Sequence, residues 1–169
     1  MKHSLKYGLM AGFIMVISWW LGQLIVDPFE QMELSQVLGY AAMLLAIVAV
    51  FLGVKNKRDS DFNGTITFGK AFKVGLNIVL VASAVYVIGW MVYYPNFMPD
   101  FMDQYATTQM QSYRDAGLSA DELATKQQEL DRWLELYENP FIMAGMTFME
   151  FFPVGLLGTL ISAFILKKK

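Results

Sequence analysis

FIMAGMTFMEFFPVGLLGTLISAFIL, residues 141–166, is the stretch whose reading decides the fold. It runs for about 26 residues before Lys167, Lys168 and Lys169, and roughly 20 apolar residues suffice for a helix to cross a bilayer. One carboxylic acid, Glu150, stands in its middle. Pro153 follows one turn later, where its ring removes an N–H and frees the Met149 carbonyl, so a helix kink is expected there. An acid inside a spanning helix is costly and often marks a functional contact or a transport path.

Working outward, the composition agrees with a membrane setting. Apolar residues make up 56% and charged residues 17%, against a soluble norm of roughly 45–50% and 25%. Long uncharged blocks alternate with short charged ones, whereas a soluble helical core interleaves polar residues every few positions. The net charge of −2 gives no sign of a nucleic-acid partner. With no cysteine, disulfides, thiolate catalysis and cysteine metal sites are excluded. The single histidine, His3, reads as a flexible terminal residue, and no metal or other cofactor is expected. The 12 methionines read as gap-filling hydrophobes.

The first span is Tyr7 to Val26, too long for a signal-peptide core of about 7–15 residues and without a cleavage site. Gly8 and Gly12 form a small-xxx-small pair that lets another helix come close. Asp27-Pro28 ends this helix, and Ser35 is a candidate N-cap for the second span, Val37 to Val54. That span has no polar handle beyond Tyr40 and reads as structural. A basic connection follows, with Asn63-Gly64 as a turn. Asn63-Gly64-Thr65 matches a glycosylation acceptor on the side expected to be cytoplasmic. Gly64 to Lys70 matches most of a phosphate-binding loop. Ala71 stands where Ser or Thr must bind magnesium, and no strand precedes it, so no nucleotide partner is expected. The third span covers about residues 69–94. Lys70 and Lys73 snorkel back to the basic side, and Asn77 is expected to hydrogen-bond across helices.

Pro95 and Pro99 are expected to break that helix and open an extramembrane helical hairpin over about residues 98–138. Its first helix runs from near Pro99 to Gly117, with a stripe of Met98, Phe101, Met102, Tyr105 and Tyr113. Ser119 and Glu122 make a capping box for a second helix, Ala120 to Glu138. The second stripe is Leu123, Leu130, Trp133, Leu134 and Tyr137. The hairpin is expected to cap the bundle or lie along the interface. With nine acidic residues against Arg114, Lys126 and Arg132, it has little attraction to anionic lipid.

Sorting the basic residues by side places ten on one (Lys2, Lys6, Lys55, Lys57, Arg58, Lys70, Lys73 and the three terminal lysines) and three on the other. Lys and Arg favour the cytoplasmic side. Both termini are therefore expected inside, with the acidic hairpin outside. Any internal repeat would be parallel, with Gly8 and Gly75 at comparable points. The fold class is all-α: a four-span transmembrane bundle with one hairpin between spans three and four, in a single domain over residues 1–169.

Glu150 lies about nine residues from the outer end of its span, roughly 13 Å deep at 1.5 Å per residue. The same depth on the other spans reaches Ser18, Ala46 and Tyr86, with Ser83 one turn deeper. The carboxyl is expected inside the bundle, bonded to Tyr86, Ser83 or Ser18. The bland alternative is an acid used as packing glue, or one that reaches water at the outer surface. These residues with Asn77 form the candidate intramembrane polar site.

YGLMAGFIMV at residues 7–16, ITFGKAFKVGLNIVLVASAVYV at 66–87, the YPNFMPDF exit at 94–101 and the KKK tail resemble a bacterial family of small membrane proteins. It is known as domain of unknown function forty-one ninety-nine. The resemblance covers nearly the whole chain. It implies four spans, an amphipathic insert before the last, and a bacterial cytoplasmic membrane. It implies neither an activity nor site residues, so Glu150 rests on the residues alone.

Two functional readings stand ahead of the rest. One is a non-enzymatic structural or assembly component, with the lipid bilayer and either a homo-oligomer or another membrane protein as partners. The other is a small proton-coupled or solute transporter using Glu150 and Pro153. A membrane enzyme ranks third, because the only dense set of acids follows helical-surface spacing.

Overall fold

The computed structural model describes residues 2–27 and 29–168, so Pro28 and Lys169 lie outside the described residues. Six helices follow in order: α1 Lys2–Ile25, α2 Met32–Asp61, α3 Phe68–Phe97, α4 Phe101–Asp115, α5 Ala120–Tyr137 and α6 Pro140–Leu166. Four of them, α1, α2, α3 and α6, are long and apolar enough to cross a membrane. The chain is an all-α, membrane-embedded protein. Two compact units emerge, Met1–Gly89 with Thr147–Lys169, and Trp90–Met146.

In the first unit, glycines let the helices approach until backbone meets side chain. A Cβ on Gly8 would lie 2.5 Å from Val81 Cβ, and one on Gly12 equally close to Val85 Cβ. Further along, Gly89 receives Val16 in the opposite sense. These three contacts advance together, so α1 and α3 run parallel. Against α6, α3 runs antiparallel: Gly75 receives Thr159, and Val79 fits on Gly155. Gly158 of α6 receives Ile47 of α2, and Val54 clusters with Ala163 and Leu166, so those two helices run parallel. The core between them holds Ala11, Met15, Ala46, Val50, Ile78, Val79, Ala82 and Phe151.

One end of this unit is tied together by polar contacts that the residue pattern did not announce. His3, expected to be flexible, hydrogen-bonds through Nε2 to the Gly53 carbonyl at 2.8 Å and lies against Tyr7. Ile66 and Lys168 exchange backbone hydrogen bonds of 3.0 and 2.9 Å, joining the α2–α3 connection to the C-terminal lysines. The turn at Asn63-Gly64 is present, with φ of 50° and 80°. Helix α2 is longer than its apolar run at both ends. It starts at Met32 with Gln31 as N-cap, so Ser35 lies inside the helix rather than capping it. It continues through the charged residues to Asp61, where Lys57 pairs with Asp61 one turn on. Pro95 sits within the last turn of α3 and does not break it, and α6 stays helical through Pro153.

The second unit contains the α4–α5 hairpin. Its small core is Ala106, Met110 and Leu130, packed by Tyr113, Leu123 and Leu134. The first stripe thus centres on Ala106 and Met110 rather than on Met102 and Tyr105, because Tyr113, Met110 and Ala106 continue one helical row. Trp133, assigned to the second stripe, is 52% exposed. Trp90 donates to the Tyr137 hydroxyl and meets Phe101 edge-on, which fixes α5 to the last turns of α3. The capping box forms as expected: Ser119 Oγ and N–H both donate to Glu122, at 2.7 and 2.9 Å.

The Gly12 contact predicts that Gly12→Val destabilises the bundle by about 1–3 kcal/mol, the usual cost of overpacking. Gly22→Ala, where an added Cβ meets nothing within 4 Å, should be silent. Unfolding by SDS titration in mixed micelles checks both. A second prediction follows from the capping box. The Ser119 hydroxyl, with help from its N–H, holds the Glu122 carboxyl below the usual carboxylate range. Its folded value lies under the unfolded one, so the contribution is complete above the unfolded value and is lost as pH falls through the folded value. Going from about pH 6 to about pH 3 should therefore fray the first turn of α5 in the parent. Ser119→Ala should show that turn already loosened by about 1 kcal/mol at the higher pH. Amide exchange corrected for intrinsic rates reads both effects.

Candidate functional site

The polar site is built on the α3–α6 seam. Stepping four residues along α3 and four back along α6 pairs Gly75 with Thr159, then Val79 with Gly155. The next step brings Ser83 level with Phe151, and both are fully buried. One turn further, Tyr86 points into the bundle and its hydroxyl donates to Glu150 Oε2 at 2.9 Å. Phe151 fills the inward position of α6. Glu150 is its chain neighbour, about 100° round the helix, and so falls on the flank.

That flank lies on the α2 side of α6: Gly158 receives Ile47, and two four-residue steps outward reach Glu150 about 80° further round, in line with the exposed Leu157. Glu150 was expected within the bundle. It is instead exposed at the surface, with its carboxyl turned in to Tyr86. Tyr40 lies seven residues before Ile47 on the same side of its helix, and it is 64% exposed. In the outer half, the flanks of α2 and α6 that carry Tyr40 and Glu150 are therefore both exposed.

Tyr86 also forms one wall of a small crevice between α1 and α2. The crevice has a volume of about 50 Å³ and is lined by Met15, Ser18, Trp19, Gln23, Ser35, Gly39 and Met43. It is large enough for water and offers the hydroxyls and amide to hold it. Ser18 thus lines the same crevice as Tyr86, and the Tyr86 hydroxyl donates to Glu150. Ser83 lies one turn away, buried, and its hydroxyl has no partner among the described residues. Thr159 is in the same condition, while Ser162 donates back to the Gly158 carbonyl at 2.7 Å. Asn77 is not brought to the site. It lies exposed on the outer stripe of α3 with Lys73, Leu80 and Ala84, because Ile78 and Val79 take the inward positions.

Reasoning from spacing missed Tyr40, Gln23 and Ser35. Tyr40 carried a signal, the one hydroxyl in the second span, at a depth matching Glu150. Among the described residues no group of three or more His, Asp or Glu side chains could hold a metal ion. What the site offers is hydrogen bonding: a carboxyl with one bound and one spare oxygen, backed by a phenol and a small polar crevice.

No curated protein and no solved structure matches the chain. The family model described as protein of unknown function (DUF4199) matches residues 6–168, nearly the whole length, and the chain belongs to that family.

Proposed function

We propose that this protein is a non-enzymatic structural or assembly component of a bacterial cytoplasmic membrane, with both termini cytoplasmic. The observation that carries the reading is the exposure of Glu150 on the flank of a spanning helix. A carboxyl side chain facing hydrocarbon within a span is costly while its hydrogen-bonding capacity is unmet. A single hydroxyl from Tyr86 answers one of its two oxygens. A neighbouring protein surface that brings another donor removes the remainder, and lipid tails bring none. The orientation is supported by the bias of ten basic residues against three. His3, Ile66 and Lys168 gather at one end of the first unit, which fits that arrangement.

The second reading, a proton-coupled or solute transporter, is favoured by the crevice that reaches Tyr86. It is weakened by what lies deeper. Phe151, Val79 and Gly155 close the seam, and the hydroxyls of Ser83 and Thr159 stand on either side of that closure.

Reconstitution separates the two. The parent protein should be associated with a protein neighbour in native membranes, and Glu150→Leu should disperse it. Proteoliposomes of the parent should be no leakier to protons than empty vesicles. A dispersed parent whose vesicles conduct protons, with the flux lost in Glu150→Gln, would overturn this assignment in favour of transport.

A further inference from the structure

Resting on the assembly reading, we propose that the neighbour covering Glu150 is a second copy of this chain. The two copies meet through α2 and α6, and Tyr40 of each donates a hydrogen bond to Glu150 of the other.

The donor and the acceptor are both left over within one chain. Glu150 uses Oε2 for Tyr86, and its other oxygen has no partner among the described residues. The Tyr40 hydroxyl has none either, and its ring stands in an exposed apolar stripe with Val37 and Leu44. The corresponding stripe on α6 is Glu150, Leu157 and Ile161, spaced seven and four apart, with both apolar members exposed. Each stripe holds one polar group among hydrocarbon side chains.

Depth selects this pair over others. Two copies in one membrane, related by a twofold axis along the bundle, can join only groups that lie at the same level. Counting from the Ile47–Gly158 contact, Tyr40 is seven residues away on α2 and Glu150 eight residues away on α6. Those are about 10 and 12 Å, so the two groups are nearly level. Asn77, the other exposed polar group considered within the spans, fails this test. The Val79–Gly155 register puts it level with residue 157, about 10 Å deeper than Glu150, and it lies on the outer stripe of α3. An isologous contact uses each bond twice, so one donor and one acceptor per chain are enough to satisfy both copies. The flanking Leu44, Leu157 and Ile161 would seal the bonds from water.

The absence of native cysteine makes the test direct. Differently tagged Leu44→Cys and Leu157→Cys proteins are co-reconstituted in liposomes and treated with a short bifunctional thiol reagent. They should cross-link to each other, whereas a Leu80→Cys pair on the outer stripe of α3 should not. Fluorescence energy transfer between labelled copies, followed as lipid dilutes them, gives the dimer affinity. Tyr40→Phe should weaken it roughly five- to tenfold, since two bonds are lost. The same change in a Glu150→Leu background should add nothing, because the two residues act as one pair. Tyr40 is exposed, so Tyr40→Phe keeps the fold, and unchanged helical circular dichroism verifies that.

A dimer indifferent to Tyr40→Phe, or one cross-linked through Leu80, overturns the proposal. A protein monomeric at every dilution, yet held in native membranes by a different protein in a Glu150-dependent way, overturns the second copy while leaving the assembly reading intact. A protein with no neighbour in either setting removes both.

Discussion

Close helix approach through small residues is the constraint on which the first unit depends. In lipid there is little hydrophobic drive between helices, since tails are as apolar as leucine, so contact must come from packing and polar bonds. The chain meets this with sockets: Gly8 and Gly12 for Val81 and Val85, Gly75 for Thr159, Gly155 for Val79, Gly158 for Ile47. Each socket sets a register, and the registers agree with one another. Thr159 illustrates what the tightness costs. Its methyl occupies the Gly75 socket while its hydroxyl is buried without a partner, although Ser162 one turn on bonds back to its own helix.

The same packing decides where the polar groups end up. Outward of Gly158, the buried positions of α6 pass to Gly155, Phe151 and Thr147. Glu150 is exposed because its chain neighbour Phe151 takes the buried position. Tyr40 is exposed because Gly39, Ala42 and Met43 form the side of α2 turned toward α1 at that level.

Much of this was legible in the residues, and the failures share one physical origin. Uninterrupted apolar length revealed all four spans, and depth counting put Tyr86 among three candidate partners of Glu150 with Ser83 and Ser18, since rise per residue is nearly constant along a helix. Depth says nothing about azimuth, however, and azimuth depends on which neighbour each helix leans against. That is why Glu150 was placed inside rather than on the flank, and why Asn77 was read as an interhelical partner. The inward row of Ala71, Gly75, Ile78, Val79 and Ala82 would have assigned Asn77 to the opposite stripe. Helix ends failed differently. Apolar length marks the hydrocarbon, but backbone bonding does not stop there, so α2 runs on to Asp61 and α3 carries Pro95 in its last turn. His3 was unreadable because its partner is a backbone carbonyl, which leaves no trace in a side-chain pattern.

The direction in which the site opens bears on its use. A transport site needs access along the membrane normal from both faces, so polar groups should continue past the acid toward the far end. Here the polar groups run sideways: Ser18, Gln23 and Tyr86 line the crevice, and Tyr86 donates to Glu150 on the exposed flank of α6. Below them the seam is Val79 on Gly155, without room for water. A carboxyl in that position is recovered energetically only from the side, by whatever lies against α2 and α6. Lateral exposure combined with axial closure is what favours the proposed assembly reading over transport, and in that reading Glu150 would make a lateral contact specific in depth.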